Sequence, residues 1–66
     1  MKSMIQLEKT DAQKEMLVCL ELGNTYGEQG NEDVALDYYV KGLQLSRELS
    51  DNARMKQFSN LILTYI

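Results

Sequence analysis

The amino-acid sequence predicts an all-α fold: an antiparallel helical hairpin followed by a third helix, the architecture of an α-solenoid fragment. Apolar residues recur at spacings of three and four over most of the 66 residues, and no stretch alternates for long with period two. Gly30-Asn31 is one clear break in this pattern, and Ser50-Asp51-Asn52 is a second cluster of cap-type residues. We therefore expect a single domain, 1–66, with helices at 10–29, 31–50 and 51–66.

The first helix is expected to start near Thr10. Thr10 and Gln13 have capping-box spacing, with Asp11 between them. A preliminary turn or helix is predicted before it, over about residues 2–9.

The second helix is set off by residues that suit a helix end followed by a helix start. Gly30 suits the left-handed position that ends a helix, and Asn31 suits the N-cap of the next one. Glu32 and Asp33 then lie in its first turn, where carboxylates interact favourably with the helix dipole. Their spacing with Asp37 fits no calcium-binding loop, so we assign these three carboxylates to helix electrostatics.

The composition argues against an enzyme. The chain has no histidine and a single cysteine, so neither an internal disulfide nor the common zinc-ligand sets can form. Histidine is also the usual general base and the usual activator of serine or cysteine nucleophiles. We predict no catalytic residues, no metal and no cofactor.

Charge and hydropathy limit the partners further. The net charge is −3, and the seven basic residues form no run, which disfavours nucleic acid as a partner. No apolar run approaches the roughly 20 residues of a membrane span, and residues 1–6 lack the apolar segment of a secretion signal. With its free thiol, the chain is expected to be cytoplasmic.

The last helix repeats an apolar pattern of the first helix 39 residues later. Both patterns follow the spacing i, i+3, i+4, i+7: Cys19, Leu22, Gly23 and Tyr26 in the first helix, and Phe58, Leu61, Ile62 and Tyr65 in the last.

These residues resemble the tetratricopeptide repeat, a helix–turn–helix unit. The resemblance rests on Leu22-Gly23-Asn24-x-Tyr26-x-x-x-Gly30-x-x-x-x-Ala35-x-x-x-Tyr39-x-x-Gly42 and covers roughly residues 16–47. The spacing of 39 exceeds the usual length of about 34 residues and is similar to the long-repeat branch of the family. It implies about one and a half repeats and a module that binds proteins or peptides.

Packing physics accounts for the same positions. Small residues belong where two helix backbones approach, and large amphipathic rings fill the groove between helices. The expected hairpin-packing residues are Cys19, Leu22, Gly23, Tyr26, Gly30, Ala35, Tyr39 and Gly42.

Three positions carry more specific expectations. Asn24 matches the position from which some members of the family hydrogen-bond an extended peptide, so the resemblance implies a peptide contact there; the alternative is a solvated polar residue. Cys19 replaces a position often aromatic in the family and is expected to be a buried, inert thiol. Ile62 replaces a small residue, so the third helix is expected to pack at greater distance or against a different partner.

The C-terminal end is apolar on more than one face and is expected to form an interface. An apolar surface that no helix of the same chain covers marks an association site or an aggregation hazard. The candidate interface residues are Phe58, Leu61, Ile62, Leu63, Tyr65 and Ile66.

The sequence therefore predicts a non-catalytic interaction module for a protein or peptide, self-associating through its C-terminal helix into a dimer or larger homo-oligomer. Two alternatives stay open: a part of a peptide-sensing bacterial regulator, which the resemblance suggests, or a purely structural homo-oligomeric helix hairpin.

Overall fold

Helix α1 covers Lys2–Glu28, α2 covers Glu32–Glu48 and α3 covers Asn52–Thr64. The structure, a computed structural model, describes the backbone of residues 2–66 and the side chains of residues 11–66. Helix α1 packs against α2, and α3 packs mainly against α2. The predicted all-α fold, a helical hairpin with a third helix, is confirmed.

Helix α1 starts earlier than the sequence suggested. It begins at Lys2 and runs through Thr10 without a break, so the element expected over residues 2–9 is the first part of the same helix. Met, Gln, Leu, Glu and Lys in that stretch are strong helix formers, and the first glycine of the chain is Gly23. A capping-box spacing is not sufficient to start a helix where the preceding residues also favour one.

The turn between α1 and α2 is a Schellman motif. Gly30 has φ +89°, the left-handed conformation that glycine adopts without steric cost. Its N–H donates to the carbonyl of Gly27 at 3.1 Å, and the N–H of Asn31 donates to the carbonyl of Tyr26 at 2.8 Å. Asn31 occupies the predicted N-cap position, but its side chain makes no capping hydrogen bond within the described part of the chain.

The turn between α2 and α3 repeats this backbone geometry with different residues. Ser50 has φ +56°, and its N–H donates to the carbonyl of Arg47 at 3.1 Å. The N–H of Asp51 donates to the carbonyl of Ser46 at 2.9 Å. Here the cap is complete, because the Asp51 carboxylate accepts the backbone N–H of Arg54 at 3.1 Å.

At the contacts between helices, two aromatic rings pack directly against glycines. The ring of Tyr39 on α2 lies against Gly23 on α1, where a methyl group would come within 2.5 Å of Tyr39 Cε1. The ring of Phe58 on α3 lies against Gly42 on α2 in the same way. The two rings are neighbours, with centroids 6.4 Å apart and planes inclined by 55°. They join the two interfaces into one core.

The core includes two residues that the sequence patterns did not single out. Met16 is buried on α1, and Ser46 is fully buried on α2. The Ser46 hydroxyl donates to the carbonyl of Leu43 at 2.7 Å, so its burial leaves no unpaired donor. Both extend the spacing of their neighbours, since Met16 precedes Cys19 by three residues and Ser46 follows Gly42 by four.

Candidate interaction surface

Of the expected hairpin-packing residues, Gly23 meets Tyr39 across the α1–α2 seam, whereas Gly42 faces Phe58 of α3 instead of α1. Five are buried, two are half-buried, and Gly30 is exposed in the turn. The buried ones are Cys19, Gly23, Ala35, Tyr39 and Gly42, and the half-buried ones are Leu22 and Tyr26. The Tyr26 ring stacks on Tyr38 of α2, with centroids 5.7 Å apart and planes inclined by 2°. These residues form the framework of the hairpin and present little surface to a partner.

Asn24, the candidate peptide contact, already has a partner inside the chain. Its side-chain oxygen accepts the hydroxyl of Tyr39 at 2.5 Å. Burial raises the pKa of the Tyr39 hydroxyl, and the neighbouring Tyr65 hydroxyl and the Glu28 carboxylate raise it further. The phenol therefore stays protonated as the donor. Asn24 is itself exposed, so its amide N–H groups are what it offers to a peptide.

Cys19 has the environment of a structural thiol. It is 3% exposed, and burial raises the pKa of the thiol, with Lys41 opposing and Glu15 reinforcing that shift. A thiol with a raised pKa is a poor nucleophile and a poor metal ligand.

The inner face of α3 corrects the expected C-terminal interface. Phe58 is fully buried against Gly42, and Leu61, Ile62 and Tyr65 are half-buried against the same core. A fully buried ring cannot meet a partner, so Phe58 belongs to the core. Position 62 holds Ile and was expected to keep α3 at a greater distance, but α2 supplies a small residue at this contact, because Gly42 receives the ring of Phe58.

The C-terminal end of α3 is fixed by Tyr65. Its hydroxyl lies against Gly27 of α1, and its ring centroid is 5.8 Å from that of Tyr39. This contact places the end of α3 beside the end of α1.

The outer face of α3 is the part of the predicted interface that solvent reaches. We define it by its exposed residues Ala53, Lys56, Ser59, Asn60, Leu63 and Ile66. Leu63 is 66% exposed and Ile66 is 88% exposed, more than any other large apolar side chain of residues 11–66. A shallow, open depression of about 660 Å³ lies near the start of this face, lined by Ala53, Lys56, Ser59, Asn60 and their neighbours Asn52 and Met55.

Residues of α1 and α3 that lie 39 positions apart also resemble each other in hydrogen bonding and burial. The hydroxyl of Thr25 donates to the carbonyl of Glu21 at 2.9 Å, and that of Thr64 donates to Asn60 at 3.0 Å. Cys19 and Phe58, related by the same offset, are both buried. At these positions the C-terminal part of α1 and α3 share a hydrogen bond and a buried residue.

Charge is segregated along the hairpin. Residues 21–40, which we term the acidic end, contain five exposed carboxylates and no lysine or arginine: Glu21, Glu28, Glu32, Asp33 and Asp37. Residues 41–56, the basic end, contain four cationic and two acidic residues, and the part of α1 that lies beside them adds Asp11, Lys14 and Glu15. Because α2 and α3 are antiparallel, α3 starts at the basic end, and Tyr65 brings its C-terminus to the acidic end.

Comparison with protein-family models, with curated proteins and with solved structures finds no significant match for this chain. Among residues 11–66, no group of three His, Cys, Asp or Glu side chains converges as metal ligands would. None of the described helices is long and apolar enough to cross a bilayer.

Proposed function

We propose that this chain is a non-catalytic interaction module of tetratricopeptide type, which binds a protein or peptide and self-associates through α3. The hairpin supplies the framework, since the hydroxyls of Tyr39 and Ser46 hydrogen-bond within the chain and the ring of Tyr39 packs on Gly23. We place it in the cytoplasm, where its free Cys19 would remain reduced.

The proposal rests on the difference in burial between the two faces of α3. Its inner face is covered by α2, whereas Leu63 and Ile66 on its other side are exposed. An apolar side chain gains about 1.5–3 kcal/mol when it is fully removed from water, before the cost of association is subtracted. A surface with this composition favours a protein partner over solvent.

Sedimentation equilibrium over a concentration series tests the proposal. We expect a mass that rises above the 7.6 kDa of one chain as concentration increases. Leu63→Asn should shift the chain toward the monomer, because it removes an apolar side chain from the surface and replaces it with an amide that loses water on burial. Val18→Asn is the matched control, since Val18 is 48% exposed on α1 and lies outside the proposed surface.

Two results would contradict the proposal. One is the mass of a single chain at every concentration up to about 1 mM, which would make the free energy of association weaker than about −4.1 kcal/mol. The other is an equal shift toward the monomer in both variants, which would show that the surface of α3 is not special.

A further inference from the structure

We propose that a second copy of this chain docks on the outer face of α3, with the two α3 helices antiparallel about a two-fold axis near Ser59 and Asn60. This inference rests on the self-association proposed above and specifies its geometry.

The outer face of α3 is complementary to the same face of a second copy rotated by half a turn. Its apolar projections, Leu63 and Ile66, lie at one end, and the open depression lies toward the other end. A two-fold contact pairs each residue with one equally far from the axis. Ile66 of one copy then meets Ala53 of the other, and Leu63 meets the aliphatic stem of Lys56. Each exposed apolar side chain then lies over the open surface beside Ala53 and Lys56 of the second copy, and the contact occurs twice.

The spacing along α3 supports the same axis. Ala53, Lys56, Asn60 and Leu63 follow one another at three- and four-residue steps and so form a continuous stripe. Ser59 and Asn60 at the centre are of modest size, which allows the two helices to approach.

The distribution of charge selects the antiparallel arrangement over the parallel one. In an antiparallel pair, the basic end of each copy lies beside the acidic end of the other, which carries five carboxylates and no cation. In a parallel pair, the two acidic ends would lie side by side and repel each other. The acidic end and the basic end are both present in this one sequence, so we assign a second copy of the chain as the partner.

Site-directed cross-linking distinguishes the arrangements. Asn60→Cys, Ala53→Cys and Ile66→Cys each place a thiol at an exposed position, and a short bis-maleimide is added at concentrations where sedimentation shows the dimer. Asn60→Cys should cross-link to itself. Ala53→Cys alone should not cross-link, because the two copies of position 53 would lie about 20 Å apart along the direction of the paired helices. A mixture of Ala53→Cys and Ile66→Cys should give a mixed dimer.

Controls keep the outcomes separate. The unsubstituted chain, whose Cys19 is buried, should not cross-link, and circular dichroism should give each variant the helix content of the parent. A dimer in which Ala53→Cys links to itself as fast as Asn60→Cys is parallel, and one in which Asn60→Cys does not link uses another surface. Either result overturns the antiparallel docking while self-association stands. A chain that sediments as a monomer overturns both.

Discussion

At both helix–helix interfaces an aromatic ring packs on a glycine, but the two rings differ in their polar contacts. At the α1–α2 interface, Tyr39 lies on Gly23 and its hydroxyl is held by Asn24. At the α2–α3 interface, Phe58 lies on Gly42, and a phenylalanine ring has no hydroxyl to anchor. Glycine therefore sets the approach of the helices in both places, but the ring on Gly23 also carries a hydroxyl held by Asn24, whereas the ring on Gly42 makes no polar contact of its own. The contact on Gly42 depends on apolar burial, which is non-directional.

The largest effect is expected from removing the ring of the second interface. Phe58 is fully buried, and Phe→Ala changes in cores cost about 3–5 kcal/mol. A single core in a chain this small rarely supplies more than about 3–5 kcal/mol in total. We therefore expect Phe58→Ala to release α3 and to remove the cooperative unfolding transition in urea, followed by circular dichroism.

The control for this change is Leu63→Ala, on the exposed face of the same helix. It should leave the urea midpoint of the monomer nearly unchanged, because Leu63 is 66% exposed. A midpoint for Phe58→Ala equal to that of the parent would show that α3 is held by something other than this ring.

A smaller effect is expected from removing the polar anchor of the first interface. Tyr39→Phe keeps the ring on Gly23 and deletes the hydrogen bond to Asn24, at a cost of about 0.5–1.5 kcal/mol. The cost is no larger because Asn24 is exposed and water replaces the lost partner. Tyr38→Phe is the matched control, since Tyr38 stacks on Tyr26 through its ring.

The same variant has a pH signature with a fixed sign. The pKa of Tyr39 is raised from its ordinary value of 10.0, mainly by burial, so the native state favours the protonated phenol. The stability due to this shift is present below pH 10 and is lost as pH rises through the native pKa. We expect the melting temperature of the parent to fall more steeply above pH 10 than that of Tyr39→Phe. Parallel alkaline profiles would contradict the assignment of that loss to Tyr39.

The seam of the hairpin was accessible from the sequence because its signals are local and periodic. Ala35 and Tyr39 follow helical spacing, and Gly30 marks the turn. Glycines at packed positions are informative, since a glycine inside a helix is otherwise unfavourable. The pattern therefore indicated which residues face the partner helix.

The interface of α3 was not accessible in the same way. The spacing placed Phe58 on one face with Leu61 and Ile62, but spacing alone does not say which element covers that face. The partner is Gly42, 16 residues earlier, and this contact depends on how α3 folds back on α2. The bond of Asn24 to Tyr39 was not accessible for the same reason, because it joins residues 15 positions apart.

The smallest effect is expected at the turns that precede the two interfaces. Both are Schellman motifs, but Gly30 adopts its positive φ freely whereas Ser50 holds φ +56° against its Cβ. Ser50→Gly should therefore stabilise the fold by about 0.5–1 kcal/mol, measured as a rise in melting temperature. Ser59→Gly, at an exposed position inside α3, should destabilise it instead, because glycine there loses helix propensity. A fall in melting temperature for Ser50→Gly would mean that the Ser50 side chain stabilises the turn by more than its backbone strain costs.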